Sequence, residues 1–169
     1  MKQSYAMMLQ YFGKVFTPTK VFSARMPPAF NELYTKVGAL DQELTVPPET
    51  VTLIRGQVAR INVCLFCIDT NWWGAIRASM NEAKLDALDR YSTSPLFTDA
   101  ERAALDYATE LTRDKKIDPE TFARLAGCYS ERAVCEIVWL VASEHLFNIT
   151  NIGLNIHSDM LCDTGERGK

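Results

Sequence analysis

The strongest constraint on how this chain folds is a succession of helix-start signals. Pro27-Pro28 and Pro47-Pro48 can each place a proline in the first turn of a helix, where its missing N–H is not needed. Thr98-Asp99-Ala100-Glu101 is a capping box, in which Thr98 accepts from the backbone N–H of Glu101 while Glu101 reaches back to that of Thr98. Asp118-Pro119 pairs an N-cap with a first-turn proline, with Gly127 as the stop. Asn81 suits the start of a short helix, and a last helix begins near Ser130. After these signals, apolar residues return at helical spacing: Phe30, Leu33, Tyr34, Val37 and Leu40, then Val51, Ile54, Val58 and Ile61. No stretch shows the strict alternation, bounded by turn residues, of a half-buried strand. The expectation is an all-α fold, a single-domain helical bundle of about seven or eight helices.

A chain of 169 residues can bury a substantial core, and it is read as one domain over residues 1–169. A net charge of −3 leaves no electrostatic footprint for nucleic acid or an acidic membrane. Residues 1–12 are apolar, but Gln10, Gly13 and Lys14 break the run before it reads as a secretory signal. No run approaches the roughly 18 apolar residues of a membrane span, so no membrane partner and a cytoplasmic location are expected. Residues 1–26 suggest two short helices broken at Thr17-Pro18-Thr19, and the tail from Asp159 is expected to be loose. The last helix is apolar on nearly every side through Ala142 and should be buried among others. In its later part Glu144, His145, Asn148 and Asn151 must find polar partners.

Chemistry is to be sought at Cys64-Leu65-Phe66-Cys67, the only close cysteine pair. Five cysteines, an odd number, argue against a structural disulfide framework and for either redox-active or inert buried thiols. At a junction between two helices, the positive end of the second would favour a thiolate. A thiolate attacking a peroxide becomes a sulfenic acid, with which the neighbouring thiol condenses to a disulfide. Turnover then needs an external reductant, a thiol or a lipoyl-type carrier. The strand that precedes such a pair in the thioredoxin architecture is missing. Zinc would need two further ligands, and neither Cys128 with Cys135 nor His157 has the spacing, so no metal and no cofactor are expected. Cys128, Cys135 and Cys162 read as isolated thiols, Cys135 facing a core, and Trp72-Trp73 as core or interface.

Cys64-Leu65-Phe66-Cys67-Ile68-Asp69, preceded by Val58-Ala59-Arg60-Ile61-Asn62, resembles the core of the carboxymuconolactone decarboxylase and alkylhydroperoxidase D-like family. The stretch from Ser94-Pro95-Leu96-Phe97 to Asp106-Tyr107-Ala108 resembles that family's downstream helix, and Phe147-Asn148-Ile149-Thr150-Asn151 its closing one, so the likeness covers about residues 30–155. The resemblance implies a thiol-dependent oxidoreductase acting on a small hydroperoxide or a partner disulfide, with Cys67 attacking and Cys64 resolving. It also implies a homo-oligomer: a trimer, hexamer or dimer. In the family's peroxidase branch a glutamate and a histidine flank the pair and relay a proton from the second cysteine. The corresponding positions here hold Thr52 and Asn71, neither of which titrates near neutral pH. Asn71 can still donate a hydrogen bond to a thiolate. Candidates for a substitute or support are Glu49, three residues before Thr52, Asp69, in the pair's own helix, and Glu144 and His145 on the last one; the alternative is that Glu144 pairs with an arginine and His145 is a satisfied core histidine. A different outcome on the same scaffold is a non-peroxidase member: a lactone-decarboxylase-like or other small-molecule enzyme, or a ligand-binding protein.

Overall fold

The computed structural model describes residues 2–161, and Cys162 with the rest of the expected tail lies outside them. Eight α-helices occupy the described residues, with no strand among them. They are α1 (Lys2–Phe12), α2 (Pro28–Leu40), α3 (Pro48–Ile61), α4 (Leu65–Arg77), α5 (Glu82–Asp86), α6 (Asp99–Asp114), α7 (Pro119–Cys128) and α8 (Glu131–Gly153). A π-helical turn at Thr19–Ser23 follows the Thr17-Pro18 break.

The start signals act as their chemistry requires. Thr98 and Glu101 form the reciprocal capping box, the Thr98 N–H donating to Glu101 at 2.8 Å and the Glu101 N–H to Thr98 at 3.2 Å. Asn81 accepts from the Ala83 N–H and Ser130 from the Ala133 N–H. Asp118 departs from expectation. Its side chain makes no cap bond; instead its backbone N–H donates to Glu110 at 2.6 Å, and α7 runs through Gly127 to Cys128.

The main core forms where α3, α6 and α8 meet, around Ile54, Val58, Ala104, Ala108, Ile137, Leu140 and Val141. A second cluster sits under α4, α5 and α6, with Leu53, Leu85, Leu88 and Leu105 buried and Trp72 against them. Trp73 packs on the Phe12 ring, with the Arg77 guanidinium over its own.

Helix α8 corrects three expectations. It is long and apolar enough to cross a bilayer by length and composition, although no run of that kind was expected. It is not buried on every side: Val138, Leu146, Ile149 and Ile152 are exposed, and Cys135 is exposed rather than facing a core. Its opposite face carries Ile137, Leu140 and Val141 together with Glu136, Ser143, Glu144, Asn148 and Asn151, all buried. That mixture is the packed side of an amphipathic core helix, because the polar groups are satisfied inside the protein. Glu136, for example, accepts from the N–H groups of Thr45 and Val46 at 2.7 and 3.0 Å and from Arg132 at 2.8 Å.

Candidate active site

The cysteine pair stands at the turn between α3 and α4, and the turn is what presents it. Helix α3 ends in a Schellman motif: the Cys64 N–H donates to the Ala59 carbonyl and the Val63 N–H to that of Arg60. The left-handed position of that motif usually holds glycine, yet here it is Val63, at φ +57°. A β-branched residue there costs on the order of 1–3 kcal/mol, a strain that the surrounding packing must hold. The reversal makes Cys64 the N-cap of α4 and puts Cys67 in its first turn. Both are reduced and buried, at 1% and 3% exposure, in a cluster with Ala59, Phe66 and Ile156.

The two sulfurs share a proton unequally. The Cys64 thiol lies below its ordinary value, chiefly because the Cys67 S–H donates to its sulfur, with the Cys67 backbone N–H adding to the effect against the cost of burial. The Cys67 thiol is pushed up, first by that same donation, then by burial and the Glu144 charge. Of the two, Cys64 is thus the sulfur that ionises more readily and Cys67 the one that holds its proton. Only Cys67 of the two lines the adjoining cavity of about 380 Å³.

That cavity is walled by the rings of Phe16, Phe22, Tyr34, Phe66 and Phe147, and its polar end is a buried network. Glu144 accepts from Arg55 Nη1 at 3.0 Å and from the Asn148 amide at 2.7 Å, and lines the same cavity as Cys67. Arg55 Nη2 donates to Asp41 at 2.7 Å and to Ser143 at 3.3 Å, and the guanidinium sits 5.8 Å from the centre of the Phe147 ring. Burial raises the Glu144 carboxyl above its usual value, and the Arg55 charge opposes this without cancelling it. Asn151 donates its amide N–H to the Cys67 sulfur at 3.4 Å.

The other expected site residues scatter. Asn71 lines the cavity but donates to the backbone carbonyl of Cys67 at 3.0 Å, not to a sulfur. The Thr52 hydroxyl donates to the Pro48 carbonyl of its own helix and lies outside the cavity. Asp69 accepts from Ser158 and from the Leu161 N–H, so its role is to hold the chain's C-terminal segment. His145 Nδ1 accepts from the Asn62 amide at 3.1 Å, away from the cavity, and burial lowers its pKa. Arg55, Asp41 and Asn151 were not foreseen as site residues. The available signal was Glu144 itself, a carboxylate in an apolar helix that needs a cation and amide donors.

A model of the carboxymuconolactone decarboxylase family matches residues 26–110, just over half of the chain, taking in the Cys64–Cys67 turn and most of α6. The uncharacterised protein YnjA of Escherichia coli (strain K12) is 27% identical over 160 residues, which cover 94% of this chain and 87% of YnjA. The debrominase Bmp8 in its apo form superposes with a TM-score of 0.77 at 25% identity, over 95% of this chain and 86% of its own. A cysteine-to-alanine variant of that debrominase, in complex with 2,3,4-tribromopyrrole, superposes with a TM-score of 0.79 at 24% identity over the same shares. A protein of unknown function from Agrobacterium tumefaciens, provisionally placed with the antioxidant defence protein AhpD, shares the fold with a TM-score of 0.76 at 19% identity, over 82% of this chain and 95% of its own. With the matched segment centred on the two cysteines, and the same helical fold in these relatives, the chain belongs to the carboxymuconolactone decarboxylase family.

Proposed function

We propose that the protein is a thiol-dependent oxidoreductase in which Cys67 attacks an organic hydroperoxide and Cys64 resolves the product. The observation that carries this reading is the Cys67 sulfur at the cavity wall, accepting from the Asn151 amide and sharing the cavity with the Glu144 carboxyl, with Cys64 buried beside it. Cys64 takes the proton of Cys67, and the Cys67 thiolate attacks the terminal peroxide oxygen. The O–O bond breaks, Cys67 becomes a sulfenic acid, and Glu144 gives its proton to the departing alkoxide. The Cys64 sulfur then displaces the hydroxyl of the sulfenic acid, forming the disulfide, and its proton leaves as water. Two thiols and one hydroperoxide thus give a disulfide, an alcohol and water. Glu144 regains its proton from solvent, and an external thiol or lipoyl-type reductant returns the pair.

The test is a count of free thiols in reduced protein before and after one equivalent of cumene hydroperoxide, with Cys67→Ser as control. Wild type should lose both Cys64 and Cys67 thiols to an intramolecular disulfide, and the variant should keep Cys64. Equal, unchanged thiol counts in both would end the dithiol reading.

The cavity's size favours one further reaction class on the same machinery. About 380 Å³ ringed by five aromatic residues exceeds what a hydroperoxy group needs, and the debrominase relative was captured with a halogenated pyrrole. Here the Cys67 thiolate would take bromine from a ring carbon as a sulfenyl bromide, the carbon would keep the bond's electron pair and take a proton from Glu144, and the Cys64 sulfur would displace bromide to give the same disulfide. Halide release with a brominated pyrrole, set beside thiol loss with hydroperoxide, separates the two.

The protein is further proposed to act as a homo-oligomer, supported by the exposed Val138, Leu146 and Ile149 along α8. Sedimentation equilibrium should return a mass of two or more chains, and Ile149→Lys should lower it. A monomeric wild type would refute this.

A further inference from the structure

Much of the cavity wall comes from the segment before α2: Met8, Phe16, Pro18, Thr19, Phe22 and Ser23 all line it. These residues precede the start of the family match at residue 26. Pieces as short as an eleven-residue α1 and a five-residue π turn do not hold their shape alone, so their position depends on what they dock against. Part of that dock is the other end of the chain.

After α8 the chain folds back through left-handed turns at Asn155 and Met160, at φ +52° and +55°. Ile156 is buried in the cluster that holds Cys64 and Cys67. The Ser158 hydroxyl donates to Asp69 at 2.8 Å and the Leu161 N–H does so at 2.9 Å, fastening the segment to α4. Between them, the Asp159 carboxylate accepts from the Thr17 N–H at 2.8 Å and from the Thr17 hydroxyl, while the Lys14 ammonium donates to the Asp159 carbonyl. Thr17 is next in the chain to Phe16 and Pro18, both in the wall. One carboxylate therefore connects the C-terminal segment, itself anchored on the cysteine helix, to the wall of the cavity that Cys67 lines.

We propose that Asp159 is the catch of a latch formed by the two ends of the chain, which holds the wall segment shut over Cys67 and limits the site to compact, ring-sized apolar substrates. The inference rests on the reading of Cys67 as the reacting sulfur. With the catch in place, Phe16 lies edge-on to Phe66 at 5.7 Å, and Phe22 packs on Phe30 at 4.6 Å, which leaves the cavity bounded by rings. Without it, the wall loses two side-chain-to-chain bonds and swings on its break at Thr17-Pro18, so larger molecules reach Cys67 while the pair and Glu144, on α4 and α8, stay where they are. Asp159 is thus a positioning residue.

The test labels the reduced, full-length protein with a small reagent, iodoacetamide, and a bulky one, N-(1-pyrenyl)maleimide, and follows modification of Cys67 by mass spectrometry. In Asp159→Ala the bulky reagent should react about tenfold faster than in wild type, the effect of one or two lost hydrogen bonds, and iodoacetamide less than about threefold faster. Thr17→Val, which removes only the hydroxyl bond, should move the ratio of the two rates the same way by less. Should Asp159→Ala fail to fold, Thr17→Val and Ser158→Ala carry the same ratio test. A ratio equal to wild type overturns the latch, whether neither rate moves or both rise together through general loosening. Labelling needs no turnover, so the two readings fail separately. An unmoved ratio with hydroperoxide-driven disulfide formation intact sinks only the latch, and a shifted ratio without disulfide formation sinks only the dithiol reading.

Discussion

Cys67→Ser is expected to abolish hydroperoxide reduction, a loss of at least about 10³-fold, because a hydroxyl in that position is neither an adequate nucleophile nor oxidisable to a sulfenic acid. Cys64→Ser should behave differently. Its Cys67 still lines the cavity and still meets the Asn151 amide. It lacks only the thiol that resolves its product. One slow turnover should therefore leave a Cys67 sulfenic acid, which dimedone traps and mass spectrometry reads. Dimedone adduct on Cys64 of the Cys67→Ser variant, with none on Cys67 of Cys64→Ser, would reverse the roles of the two sulfurs. That outcome would follow from the Cys64 thiol being the one that ionises more readily. The cavity favours the proposed role of Cys67, because a substrate has to reach the sulfur that attacks it.

Replacing Glu144 by Gln should cut turnover by about 10²- to 10⁴-fold, the usual range for a positioned proton donor. It leaves Arg55 one carboxylate short inside the protein, with Asp41 still on Nη2. The stability loss should be on the order of 1–3 kcal/mol. The pH dependence distinguishes this from a merely structural effect. Burial makes Glu144 bind its proton more tightly in the folded protein than the ordinary carboxyl value of 4.5 would allow. A raised value contributes stability in full below the unfolded carboxyl's pKa, and that contribution is lost as pH rises through the folded one. Unfolding by urea over a pH series should thus show the advantage of wild type over Glu144→Gln shrinking as pH climbs from below 4.5. Turnover should fall over the same limb, because the acid form is the donor. A difference in stability that stays flat with pH would mean that Glu144 binds its proton no more tightly in the folded than in the unfolded chain, and one that grows with pH would mean that it is held ionised; either result removes it as the proton donor.

Much of the architecture was legible because helix starts are local. A capping box is completed within four residues, and a first-turn proline needs no distant partner, so Thr98, Ser130, Pro28 and Pro48 announce α6, α8, α2 and α3 wherever the rest of the chain goes. Asp118 shows the limit even there, because the carboxylate that binds its N–H belongs to Glu110 of the preceding helix. The burial of α8 on all sides was an overreading of composition. Apolar residues that face a neighbouring helix and those that face outward, such as Ile137 and Ile149, look alike in sequence.

The sequence by itself determined the all-helical fold, the family, and the cysteine pair at a helix junction, since each depends on residue types a few positions apart. Its choice of proton relay could not be made that way. Thr52 and Asn71 stand at the family's positions, yet one bonds to its own helix and the other to a backbone carbonyl. His145 and Glu144 are chain neighbours on one helix, but they point about a quarter-turn apart, towards Asn62 and towards Arg55. Only packing α8 against α3 brings Arg55, 89 residues distant in sequence, to Glu144. That packing is what gives the buried carboxyl its cation in the cavity that Cys67 lines. The same holds for Asp159 and Thr17, 142 residues apart: a contact between two chain ends leaves no mark on local spacing, and only the folded chain closes it.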